Sequence, residues 1–295
     1  MISQADICMK RTEFDLFHDT PVAANVNRVI GQGYHKGNAE GYLQMMRGDT
    51  LDIDKMVEEG VWAFRRGVEW DDYVDLPVDE FSWVFQPKTY RAPLIILNEA
   101  QAVIVVEQLI RHYWEGTLEG GKHIHWDLEV VAVEFRMNLT YPGAPEGWDR
   151  GGAVDLILSD GGGGYILDDH KTSKKKWAKK KGSPTNPQAA WYLDAWRTYA
   201  KTHLVKFCYD VMAINIDPET LLADPEFERR WAPRTQAQID MTLQRGKDLA
   251  TLIDQGGPFL PNTESFLCSP HYCDHWKICP YGSTLNFVDE PQESQ

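Results

Sequence analysis

Helical and extended patterns of apolar residues alternate along this 295-residue chain. Residues 22–48 carry helix-like apolar spacing broken by Gly31, Gly33, Gly37 and Gly41. Residues 98–115 (NEAQAVIVVEQLIRHYWE) combine strong helix formers with Asn98 as an N-cap and predict a firm helix. The pattern then changes. Residues 128–141 (LEVVAVEFRMNLTY) are rich in β-branched and aromatic residues, as strands are. Residues 153–159 (AVDLILS) form a short apolar run, Asp160 and the glycines 161–164 a turn, and residues 165–169 (YILDD) a second run. Two short runs about a glycine-rich turn predict a β-hairpin. Asn186 and Pro187 suit the cap and first turn of a helix over 186–201. Residues 204–216 suit another strand and residues 233–254 a long helix ending near Gly256 and Gly257.

Helices that flank a strand cluster predict an α/β or α+β class with one central sheet. The chain shows no repeat of fixed period. It reads as a single domain over 1–282, with 50–125 as a candidate helical insertion and the polar stretch 283–295 as a loose tail.

Composition narrows the class. An apolar share of 43% with 25% charged residues excludes a disordered chain. No run of 18 apolar residues occurs, so no membrane-spanning helix is expected. The start, MISQADICMKRTEF, lacks the basic and then apolar pattern of a secretory signal, and a cytoplasmic location is the expectation. The net charge of −14 alone argues against a partner as negative as DNA. Seven lysines are concentrated in residues 171–181 (KTSKKKWAKKK), however, and such a patch on an acidic body can hold a phosphate backbone at one place. The plain alternative is a solvated loop.

The hairpin carries the chemistry. Strand residues two apart share a face, so Asp169 and Lys171 project together, and the turn brings Asp155 beside them. Two carboxylates and an amine at one end of a sheet suit phosphodiester hydrolysis. The oxygens hold a divalent cation, and the lysine orients water or stabilises developing negative charge. Alone, a D…DxK pattern also matches surface hairpins by chance. Gln188 and Tyr192, four apart, share one helix face. Taken singly, His35 is an ordinary polar residue and Tyr192 a core aromatic. Asp168 should face away from Asp169, and a cap or a salt bridge to a neighbouring lysine is its expected use.

Five cysteines, Cys8, Cys208, Cys268, Cys273 and Cys279, form an odd set that argues against a disulfide framework. Cys268, Cys273 and Cys279 fall within the segment 266–282 (FLCSPHYCDHWKICPYG). Thiolates so spaced suit an iron–sulfur cluster or zinc. Cys8 is the candidate fourth ligand, and for zinc His271 or His275 is the alternative. Cys208, in an apolar strand, reads as a core thiol.

In chain order, Gly31-x-x-x-His35, Gly152-x-x-Asp155, Asp169-x-Lys171-Thr172 and Gln188-x-x-x-Tyr192 resemble the PD-(D/E)XK nuclease superfamily. The set is most similar to the branch of the RecB and AddB nuclease domains and the iron–sulfur exonucleases associated with CRISPR adaptation, with phage-encoded relatives. The resemblance implies a restriction-endonuclease-like central mixed sheet flanked by helices. It implies that His35, Asp155 and Asp169 bind Mg²⁺ or Mn²⁺ with the backbone carbonyl of His170, and that Lys171 helps to activate water. Gln188 and Tyr192 would support DNA or the lysine. A histidine ligand favours Mn²⁺. Glu134 stands where the family often has an acidic residue and is an outer candidate.

Iron–sulfur members of that branch carry one cysteine near the start and three after the nuclease core. The resemblance therefore implies a 4Fe–4S cluster on Cys8, Cys268, Cys273 and Cys279. Lys174, Lys175, Lys176, Lys179, Lys180 and Lys181 would contact the DNA backbone with little sequence specificity. Trp177 would stack on an unpaired base or pack beneath the loop. The expected activity is that of a metal-dependent DNA nuclease, an exonuclease on single strands or duplex ends. The alternatives are a non-catalytic DNA-binding module of a recombination or adaptation complex and, last, a redox sensor. A homo-oligomer is compatible with either of the first two.

Overall fold

The computed structural model describes residues 26–70, 83–85, 95–116, 125, 127–174, 177, 186–262, 268 and 279–281. α1 (Val26–Arg47) and α2 (Ile53–Trp70) precede an antiparallel pair, β1 (Trp83–Phe85) and β2 (Ile95–Leu97), and α3 (Glu99–Gly116) follows. β3 (Glu129–Thr140), β4 (Asp149–Ser159) and β5 (Tyr165–Ser173) then run consecutively. α4 (Pro187–Ala200) leads to β6 (Val205–Ala213), β7 (Glu226–Trp231) and α5 (Gln236–Asp254). The chain divides into two compact units. One comprises Ala24–Pro142 with Asp149–Leu243, and the other Met1–Ala23, Gly143–Trp148 and Gln244–Gln295.

The first unit is built on a five-stranded mixed sheet in the order β3-β4-β5-β6-β7. The β3–β4, β4–β5 and β6–β7 pairs are antiparallel, and β5–β6 is parallel. A parallel pair needs a crossover, and α4 supplies it. Its start is firmly set: Asn186 Oδ1 accepts the Gln188 N–H at 3.0 Å, and Pro187 sits where a missing N–H costs nothing. α3 starts on a reciprocal cap between Asn98 and Gln101, at 2.8 and 2.9 Å.

Helices cover both faces. Tyr34, Phe64, Leu109 and Ile110 of α1–α3 pack with Leu156, Leu158 and Met212 of the sheet. α2 and α3, which fall in the 50–125 segment, thus share one core with α1. On the other face, Leu193 and Trp196 of α4 and Ile239 of α5 pack with Val154, Ile157, Leu167 and Phe207.

Two differences from the sequence reading bear on the site. α1 runs unbroken through its glycines; Gly37 and Gly41 lie where Ile110 and Trp114 of α3 press against it, and Gly33 where Gly60 of α2 and Val106 of α3 approach. β5 continues past residue 169 to Ser173 because its polar second half pairs with β6, from Asp169–Tyr209 to Ser173–Ala213. That extension puts Asp169 and Lys171 on one rigid strand.

Candidate active site

β4 and β5 are paired as far as Leu156–Asp168. One residue beyond, the Asp155 carboxylate takes the place of a ladder carbonyl: its Oδ2 accepts the backbone N–H of His170 at 2.7 Å. The same oxygen lies 3.3 Å from His35 Nδ1 of α1. On the same strand end, Asp169 Oδ1 accepts from Gln188 Nε2 at 2.7 Å, and its Oδ2 meets the Lys171 ammonium. Gln188 Nε2 is 3.4 Å from Tyr192 Oη, which donates to the Ala153 carbonyl at 2.6 Å. His35, Asp155, Asp169, Lys171, Gln188 and Tyr192, spread over four sequence segments, therefore meet in one place.

Two motif glycines have a packing reason. A Cβ on Gly152 would lie 2.7 Å from Tyr192 Cε1, and one on Gly31 2.9 Å from Thr172 Oγ1. The first lets the tyrosine ring lie on β4, and the second lets α1 approach β5.

Glu134 stands closer to the centre than its outer role in the sequence reading. It falls between the register pairs Val133–Leu156 and Phe135–Val154, opposite Asp155. One ligand atom each from His35, Glu134 and Asp155 lies within 4.8 Å of the others. A cleft bordered by His35, Lys36, Glu134, Lys171 and Thr172 opens over them.

The charges are strongly polarised. Burial would raise the Asp155 pKa, but His35 outweighs it and holds the carboxyl well below its usual range. Burial would lower the His35 imidazole, and Asp155 outweighs that to raise it. Burial pushes Asp169 up to about 6 although Lys171 opposes it. Burial would lower the Lys171 ammonium, but Asp169 and Asp155 hold it above its ordinary value. This set of nitrogen and oxygen donors, with its excess negative charge, fits a divalent cation.

A second cluster occupies the other face of β5. Asp168 faces away from Asp169, as expected, but its salt bridge is to Arg229 of β7 at 3.0 Å rather than to a lysine. Arg229 also donates through Nε to Asp210 Oδ1 at 2.7 Å, Tyr113 Oη donates to Asp210 Oδ2 at 2.9 Å, and His125 Nε2 lies 3.1 Å from Asp168. The His170 ring stacks on Tyr42 at 5.7 Å in the same cluster. The sequence reading missed His125, Asp210 and Arg229; the one signal was an acid inside the apolar run 204–216. Burial, and then Asp210, push Asp168 up to about 7.

Of the lysine loop, Lys174 is half-buried, and Lys175, Lys176, Lys179, Lys180 and Lys181 lie outside the described residues. Trp177 is buried, 5.4 Å from the Tyr209 ring, with its carbonyl accepting from Arg230 at 2.6 Å. Its side chain thus packs into the core beside Tyr209, in line with burial rather than base stacking. Cys279 is buried and Cys268 half-buried; Cys8, Cys273, His271 and His275 lie outside the described residues. Cys208 is a core thiol of β6, pushed well up by burial.

A family model of the PD-(D/E)XK nuclease superfamily matches residues 81–280. No curated protein matches the sequence. The crystal structure of SSO0001 aligns with 92% of this chain and 93% of its own, at 13% identity and a TM-score of 0.33, too loose a superposition to bear on fold or function. No helix among the described residues is long and apolar enough to cross a membrane.

Proposed function

The chain belongs to the PD-(D/E)XK nuclease superfamily, and from that premise we propose that it is a divalent-metal-dependent deoxyribonuclease centred on His35, Asp155, Asp169 and Lys171. The observation that carries this reading is the opening between β4 and β5, where Asp155 accepts from the His170 backbone and Asp169 is gripped by Lys171.

His35, Asp155 and Asp169, with the His170 carbonyl, would hold Mg²⁺ or Mn²⁺. When bound, such an ion supplies positive charge for the phosphodiester and makes water more acidic at neutral pH. Lys171 is held cationic by the two carboxylates and directs its ammonium at the reacting phosphate, where it stabilises developing negative charge. Gln188 keeps Asp169 oriented, and Tyr192, anchored on Ala153, supports Gln188.

The finer reading is an exonuclease of the RecB/AddB-like branch acting on single strands or duplex ends, supported by the four ordered motifs. Lys174–Lys176 and Lys179–Lys181 would hold the phosphate backbone. Cys8, Cys268, Cys273 and Cys279 would ligate a 4Fe–4S cluster, as the resemblance implies, with Cys208 outside the set as a core thiol of β6. Zinc is the alternative occupant. Anaerobic purification with iron and sulfide analysis separates the two.

The nuclease reading is tested on end-labelled single- and double-stranded DNA with Mn²⁺ or Mg²⁺. Lys171→Ala is expected to lose about 10²-fold or more of the wild-type rate. Equal rates would remove the mechanism, and DNA binding by the wild type without turnover would favour an accessory module.

A further inference from the structure

We propose that Glu134 is a direct ligand of the catalytic cation, completing with His35 and Asp155 a side-chain triad on the β3 side of the site; this rests on the nuclease reading above.

Three observations converge. First, on this face of the sheet, among the described residues, the donor atoms of His35, Glu134 and Asp155 stand close enough to share one ion, all within 4.8 Å of one another. Asp169 is engaged on both oxygens, by Gln188 and by Lys171. A cation drawn to the most available charge sits toward β3, with Asp155 as the common ligand.

Second, among the described residues Glu134 has no competing use. Among the described residues no hydrogen bond or ion pair engages its carboxylate, although it borders the cleft that Lys171 and His35 also line. Lys36, the next cation on that rim, is 4.0 Å from Glu59. An unengaged carboxylate opposite Asp155 is electrostatically unfavourable without a cation between them.

Third, the backbone aims it there. Glu134 has a φ of 50° inside β3, and the ladder passes over it between Val133–Leu156 and Phe135–Val154. A non-glycine residue in this region costs of order 1 kcal/mol. Residues directly opposite in an antiparallel pair share a face, so this register sets Glu134 on the Asp155 side of the sheet. One imidazole nitrogen and two carboxylates make a ligand set of borderline hardness, suited to Mn²⁺ as well as Mg²⁺.

The test is Mn²⁺ binding to the full-length protein without DNA, followed by the electron paramagnetic resonance signal of the free ion. Wild type, Glu134→Gln and Asp155→Asn are compared, with unfolding midpoints recorded with and without Mn²⁺. The expected result is a tenfold or greater loss of Mn²⁺ affinity in Glu134→Gln. Its metal-free midpoint should equal or exceed that of the wild type, because a carboxylate opposite Asp155 is gone, while the Mn²⁺-induced rise in midpoint shrinks. Should Glu134→Gln fail to fold, Glu134→Asn, which takes the left-handed backbone more readily, is expected to fold and show the same loss. Wild-type affinity in the Glu134 variants, with weakened binding in Asp155→Asn, would overturn the proposal and leave the nuclease reading standing. A wild type that binds no Mn²⁺ would overturn both.

Discussion

The backbone N–H of His170 donates to Asp155 Oδ2 at 2.7 Å, one residue beyond the last β4–β5 pair. This bond lets a carboxylate close the ladder, so the strands part without leaving a buried donor unpaired. It also joins the two faces of β5. The His170 backbone addresses Asp155, while its ring stacks on Tyr42 among Asp168, Asp210 and Arg229.

Asp155→Asn should therefore separate shape from charge. The amide oxygen can still accept from His170, so the fold is expected to survive with a stability change of about 1 kcal/mol. Cleavage should fall by about 10²-fold or more, because the charge beside His35 is lost. Circular dichroism and end-labelled DNA cleavage check the two halves; full activity in a folded variant would contradict the assignment.

Gln188 holds Asp169 and acts through it. Gln188→Ala is expected to lower kcat by about tenfold to a hundredfold, with little change in KM for DNA, since the residue orients a group rather than binding the substrate. Tyr192→Phe removes the donor to the Ala153 carbonyl and should cost about 1 kcal/mol of stability with a smaller kinetic effect. Steady-state kinetics and denaturant titrations distinguish these outcomes.

Gly152→Ala places a methyl 2.7 Å from the Tyr192 ring. The ring must shift, at a cost of about 1–3 kcal/mol. Activity should fall with it, because Tyr192 supports Gln188. The pairing with Tyr192→Phe is informative: if the glycine acts through the ring, the double variant should lose less activity than the two single losses combined.

The cluster behind β5 gives a pH dependence with a definite sign. Burial and Asp210 push Asp168 up to about 7; burial opposes ionisation of Asp210, but His125 and Arg229 outweigh it and hold Asp210 well below its usual range. The folded protein thus keeps one proton on this pair in the window where the unfolded chain, with both carboxyls ionised above about pH 5, has released it. The raised pKa of Asp168 favours folding at low pH. That contribution is lost as pH rises toward about 7, with a slope of up to roughly 1.4 kcal/mol per pH unit. Asp168→Asn imitates the protonated carboxyl and should flatten this part of the profile. Urea unfolding across about pH 5–8 measures it, and parallel profiles would contradict the shared proton.

What the sequence discloses of this site follows from how local each relationship is. Asp169 and Lys171 share a face by the period of a strand, and Gln188 and Tyr192 by that of a helix, so both pairs are legible from spacing. His35 is legible only as part of an ordered motif, because nothing local ties α1 to β4. Glu134 is under-weighted for a different reason: its place opposite Asp155 depends on the β3–β4 register, which spacing within one strand does not specify. Asp210 and Arg229 are hidden by topology. Their meeting with Asp168 needs the parallel β5–β6 register and the β6–β7 pairing, neither of which apolar patterning specifies. The reach of β5 to Ser173 is likewise set by its neighbour β6, since the segment HKTS has no strand signature of its own.

The nuclease proposal requires a divalent cation at the parted ends of β4 and β5. Anomalous diffraction from crystals of the protein soaked in Mn²⁺ tests it directly. One strong peak is expected at ligand distance, about 2.0–2.4 Å, from Asp155 and His35, lost in Asp155→Asn crystals. Density elsewhere only, or none, with these side chains ordered, would contradict it.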